Sequence, residues 1–204
     1  MLIKMRGLSM FIHMHDLIIG QIEGFAEEAR NAGNPRLFLE RLSGQNGLHY
    51  VWHFRGGRNT FGFLLFHWHL CAKVRELGMN IVPLTAEDFS AGGRFHEPRL
   101  DWNTVMRPRI QSARSLEDLA QFSNTLEFWH NGIHGVLARG SGLPMGDGAI
   151  NVLYQLFWNF HFFIDSLFEW QLQNYGASSG MQFNLISDIV QYIESQDHAI
   201  IARI

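Results

Sequence analysis

Two histidines four residues apart, His130 and His134, stand in the segment LEFWHNGIHGVL at residues 126–137. On a helix both imidazoles project from one face, about 6 Å apart along the axis, which suits two ligands converging on one metal ion. The spacing alone also fits an ordinary pair of helix histidines. Twenty-seven residues after His134, the segment FWNFHFFIDSLFEWQ places His161 among aromatic residues, with Asp165 one turn later on the same side. A buried imidazole needs a partner for each ring nitrogen. A metal on one nitrogen and the Asp165 carboxylate on the other is one solution. A core histidine bonded to Asp165 is the other.

Further histidines cluster toward the N-terminal half, out of eleven in the chain. FLLFHWHLCAKVREL (residues 63–77) carries His67 and His69, which point to different sides of a helix because they are two positions apart. His49 and His53 precede them, and FIHMHDLIIG (residues 11–20) adds His13 and His15. His96 and His198 read as ordinary surface or core histidines.

Together these segments resemble the type-3 copper proteins, the family of tyrosinases, catechol oxidases and haemocyanins. The order HN-x-x-H, a Gly-rich loop containing Met145, then an aromatic helix with H-x-x-x-D ending in Trp170-Gln171 is similar to the family's second copper half-site. The resemblance makes His130, His134 and His161 the ligands of one copper ion, with Asp165 behind them. FLLFHW resembles the family's FLPWHR helix and places His67 on a ligand of the other ion. It further implies His53, ahead of His49, and His15, ahead of His13, as that ion's remaining ligands. Two departures stand out: Tyr154-Gln155 replaces the usual Asp-Pro, and Phe160 stands where tyrosinases often carry a first histidine of a pair.

What the resemblance implies is a dinuclear copper site that binds dioxygen. It implies oxidation of o-diphenols or o-aminophenols to quinones, and in true tyrosinases hydroxylation of monophenols. Its partners would be dioxygen, a small phenolic or aminophenolic substrate and a copper-delivery protein. In bacterial relatives an asparagine after the first ligand and a nearby glutamate hold a water that acts as base. Asn131 falls on the first and Glu117 resembles the second, with Glu127, one turn from Asn131, as the rival carboxylate. Two other readings compete: an oxygen carrier without turnover, as haemocyanins are, and a helical interaction protein with structural histidines.

The elements that must position these residues read as helices. Apolar periodicity predicts helices over Ser9–Ala32, Thr60–Leu77, Asn151–Tyr175 and Gln182–Ser195, with a short one at Leu37–Leu42. Ser115–Leu137 reads as one broken helix or two, opened by a Ser-x-x-Asp start at Ser115. From Asn80 to Gln111, Pro83, Pro98 and Pro108 leave no periodicity, so this stretch is expected as loop. No comparable strand pattern exists. The fold expected is all-α and one domain over residues 1–204, and the resemblance adds a four-helix bundle core around the copper pair.

Composition bounds the rest. The 204 residues are 47% hydrophobic and 17% charged, the balance of a globular domain. A net charge of −3 gives no basic patch for nucleic acid. The most apolar stretch, residues 149–164, holds Asn151, Gln155, Asn159 and His161, too polar for a membrane span. A single cysteine, Cys71, leaves no internal disulfide and is compatible with a reducing compartment; with no signal peptide or membrane span read, a cytoplasmic setting is expected.

Overall fold

A computed structural model of the chain describes residues 2–53, 60–180 and 185–196, with side chains from 17–53, 62–180 and 185–195. The described residues form helices and no strand. They are α1 (Leu2–Asn31), α2 (Pro35–Leu42), α3 (Leu48–Val51), α4 (Thr60–Glu76), α5 (Leu116–Ser141), α6 (Gln155–Ser178) and α7 (Ile186–Gln196). None of the described helices is long and apolar enough to cross a membrane.

Local signals explain the boundaries. Asn34 caps α2 through its side-chain oxygen, which accepts from the Arg36 amide, with Pro35 at the first helical position. The Ser115 hydroxyl accepts from the Asp118 amide while the Asp118 carboxylate accepts from the Ser115 amide, closing a reciprocal cap at the start of α5. Gly142, at φ 71°, ends α5 in the left-handed conformation that glycine adopts without cost. Gly132 and Gly135 do not interrupt α5, which runs unbroken where a broken helix was expected. Its apolar face, including Trp129, Ile133 and Leu137, is wholly buried, and that packing outweighs two unfavourable glycines.

Around α4 pack α1, α5 and α6, and α5 also lies on α6. The aromatic load forms the core: Phe63, Phe66, Phe157, Trp158, Phe160 and Phe168 are fully buried. The stretch expected as loop is structured by short turns at Ala86–Phe89, Pro98–Leu100 and Trp102–Met106. It contributes Phe89, Phe95, Trp102 and Met106 to the same core. Trp129 donates its indole N–H to the Leu100 carbonyl at 2.7 Å, and Asn159 of α6 donates to the Val82 carbonyl. These bonds press the segment onto α5 and α6.

Gly47 brings α3 into place. A Cβ there would lie 2.1 Å from the Ser43 carbonyl oxygen and 2.4 Å from that of Leu42, so only glycine allows the chain to turn this tightly out of α2. His49 on α3 is thereby carried toward α4.

Candidate metal centre

His130 and His134 project from one face of α5 toward His161 on α6 and His67 on α4, and all four are buried. His49 on α3 is buried as well, and His53, in the turn that follows, is half-buried. Ligand-capable atoms of His67, His130 and His161 lie within 4.8 Å of one another, as do those of His49, His53 and His67. His67 belongs to both groups. Its ring centre is 4.8 Å from that of His161 and 5.3 Å from that of His53, so the six imidazoles form one continuous cluster.

The outward nitrogens of five of these rings are tied down. His67 donates from Nδ1 to the Phe63 carbonyl at 2.7 Å, and His161 from Nδ1 to the Phe157 carbonyl at 2.8 Å. Each uses the carbonyl one turn earlier on its own helix. His134 donates to the Met145 carbonyl at 2.8 Å and His49 to the Gly148 carbonyl at 3.0 Å. His130 Nδ1 lies 3.2 Å from Asn131 Oδ1. A carbonyl oxygen can only accept, so these bonds place the ring proton on Nδ1 and leave Nε2 as a bare lone pair.

Those lone pairs face one another. His130 Nε2 is 3.0 Å from His161 Nε2 and 2.9 Å from His134 Nε2. One proton could bridge only one of the two contacts. Protonation is also opposed by the surroundings: burial lowers His134 to about 4 and holds His130 and His161 well below the usual histidine range, with neighbouring histidines adding to it. Nitrogens roughly 2 Å from a common ion stand roughly 2.8–3.4 Å apart. The His130–His134 and His130–His161 pairs have that separation, and His67, His130 and His161 form a group whose ligand atoms all lie within 4.8 Å of one another. On the other side, His49 Nε2 and His67 Nε2 are buried with no hydrogen-bond partner. A buried lone pair is unfavourable until a hydrogen-bond donor or a cation completes it.

Phenylalanines wall the cluster. Phe157 stacks on His161 with ring centres 3.7 Å apart, Phe63 lies 4.6 Å from His67, and Phe160 lies parallel to His130 at 5.4 Å. They keep water from the ligand nitrogens and lower the local dielectric.

Asp165 does not occupy the place expected for it. His161 Nδ1 is satisfied by its own helix, and the Asp165 carboxylate is ion-paired with Arg75 of α4. Arg75 also reaches Glu169 at 3.5 Å and lies over the Phe162 ring at 4.8 Å. Burial pushes the Asp165 carboxyl up to about 7 against the pull of Arg75. The pair clamps α4 to α6 one or two turns beyond their histidines. Trp170 is partly exposed, while Gln171 is buried and ties Gln111 and Ala113 to α6.

Glu117 is not brought to the cluster. It is exposed in the first turn of α5, thirteen residues before His130 and hence roughly 20 Å away along the helix. Its charge is felt by Tyr175. Glu127 stands one turn before His130 and Asn131, half-buried, and burial alone raises its carboxyl to about 7. His69 pairs with Glu194 of α7, and His96 lies 3.3 Å from Asp101. His13 and His15 fall on α1 and His198 beyond α7; their side chains lie outside the described residues.

His49 is the residue that sequence reasoning set behind its neighbour. The signal was there: His49 and His53 share the four-residue spacing of His130 and His134. No family model, no curated protein and no solved structure matches this chain.

Proposed function

We propose that the chain is a type-3 copper oxidase that holds two copper ions in the histidine cluster and oxidises o-diphenols or o-aminophenols with dioxygen. The observation that carries this reading is the convergence of bare imidazole nitrogens, above all the 2.9 and 3.0 Å Nε2 contacts among His130, His134 and His161. An all-imidazole donor set suits copper, and neutral imidazole supports both of its oxidation states. A di-iron bundle would instead bring glutamates from facing helices. Neither histidine group found among the described residues contains a carboxylate.

His130, His134 and His161 would hold one ion, and His67 with His53 would supply ligands to the other. The copper pair, when bound, supplies dioxygen binding and the transfer of electrons to it. Two o-diphenols give up four electrons and four protons to one dioxygen, leaving two o-quinones and two waters. The chain must therefore take protons from the phenol. Glu127 is suited to this because burial brings its carboxyl to about 7, near the pH at which it would work. Asn131 orients His130, and the phenylalanine wall excludes bulk water. The four-helix bundle of the copper family accords with the packing of α1, α5 and α6 on α4.

The test is anaerobic loading with Cu(I), with copper per chain measured alongside oxygen uptake on a catechol. Wild type is expected to take two ions and to form quinone, and His130→Ala or His161→Ala about one ion or fewer. Full copper retention in both variants would refute the ligand assignment. Reversible oxygen binding with no quinone would mark an oxygen carrier instead.

A further inference from the structure

We infer that His49, carried on the short helix α3, is the third ligand of the second metal position together with His53 and His67, in the place that the family resemblance gave to His15. This rests on the reading of the cluster as a dinuclear metal centre.

Three observations carry it. Ligand-capable atoms of His49, His53 and His67 already lie within 4.8 Å of one another, with ring centres 4.6 Å apart for His49 and His53 and 5.8 Å apart for His49 and His67. The His49 ring is oriented as a ligand would be: Nδ1 donates to the Gly148 carbonyl at 3.0 Å, and the buried Nε2 has no partner. His67 Nε2 is in the same condition. Two buried acceptors in one cluster, each held from behind through Nδ1, present the donor atoms that a cation between them would take.

The two half-sites then share one plan. Each takes a pair of histidines at i and i+4 from one segment, His49/His53 or His130/His134, and a single histidine from the helix that follows, His67 or His161. They also share their support. The Gly-rich loop between α5 and α6 anchors one ligand of each, His134 through the Met145 carbonyl and His49 through the Gly148 carbonyl. Asn151 steadies that loop by donating to the same Met145 carbonyl at 3.2 Å. The Gly44 amide, just ahead of α3, donates to the Ala149 carbonyl at 2.5 Å, so α3 and the loop are bound to each other directly.

The experiment loads the full chain anaerobically with Cu(I) and titrates the copper out with a chromophoric Cu(I) chelator, with helicity followed by circular dichroism. In His49→Asn one of the two ions is expected to be lost at a chelator concentration at least tenfold lower than in wild type, with the other ion unmoved. In His15→Ala both ions should be released as in wild type. A weakened ion in His15→Ala, or two wild-type ions in His49→Asn, would overturn the assignment. The His15→Ala arm decides the matter even where His49→Asn folds poorly. Wild type that takes no copper has a different signature, since it defeats the dinuclear reading itself.

Discussion

A metal-binding imidazole has to be held from behind, and in this cluster the means differ from ring to ring. His49, His67, His134 and His161 lean on backbone carbonyls, which no side-chain substitution removes. Among the five described anchors, that of His130 is a side chain, Asn131 Oδ1 at 3.2 Å. Its orientation is therefore open to a single mutation. Asn131→Ala is expected to weaken copper at the His130/His134/His161 position roughly 10- to 100-fold, the usual effect of losing an outer hydrogen bond to a ligand. The chelator titration measures this directly. Unchanged release of both ions would show that the phenylalanine wall alone orients the ring.

At the scale of elements, the spacing between half-sites depends on how α4 lies against α6. His67 and His161 stand on those two helices, and the Arg75–Asp165 pair links them further along. The Asp165 side chain is 1% exposed and that of Arg75 is 40% exposed, so losing the guanidinium strands a carboxylate in the core. Arg75→Met should cost roughly 1–3 kcal/mol, read by urea unfolding of the metal-free protein. Adding Asp165→Leu to that variant should restore most of the loss, because an apolar pair of similar volume packs as well as a buried ion pair. A double variant no better than the single one would mean that the pair does more than satisfy itself. The glycine at position 47 acts on the same scale: without it, α3 could not leave α2 closely enough to present His49.

For the whole molecule, gathering six neutral histidines makes stability depend on pH. His49 and His134 are lowered to about 4, and His53, His67, His130 and His161 lie well below 6.5, chiefly through burial. Below 6.5 the unfolded chain binds protons that the folded chain refuses, so stability falls as pH drops from about 6.5 toward 4. Glu127 and Asp165, raised to about 7, act with the opposite sign. They are two groups against six, each worth about 1.4 kcal/mol per pH unit at most. The metal-free protein should therefore melt at progressively lower temperature between pH 6.5 and 4. Copper at a hundred times its dissociation constant should add about 2.7 kcal/mol at neutral pH for each of the two positions it fills. Thermal melts of both forms across pH 4–8 check this, and a flat profile for the metal-free form would contradict the buried, neutral cluster.

What could be read along the chain was whatever obeys a local period. The long helices were legible because an apolar stripe at 3.6 residues is a property of adjacent residues, and the shared face of His130 and His134 follows from the same geometry. His161 among aromatics could be read as buried for the same reason. The partner of Asp165 could not, because Arg75 lies ninety positions away and only the packing of α4 on α6 brings them together. The unbroken α5 also escaped local reading, since burial on two sides overrides its glycines. The four-residue spacing of His49 and His53 was legible, but the place of His49 was not, because α3 is four residues long and carries no period. Its place depends on a tight turn at Gly47 and a carbonyl at Gly148, contacts that exist only once distant segments have met.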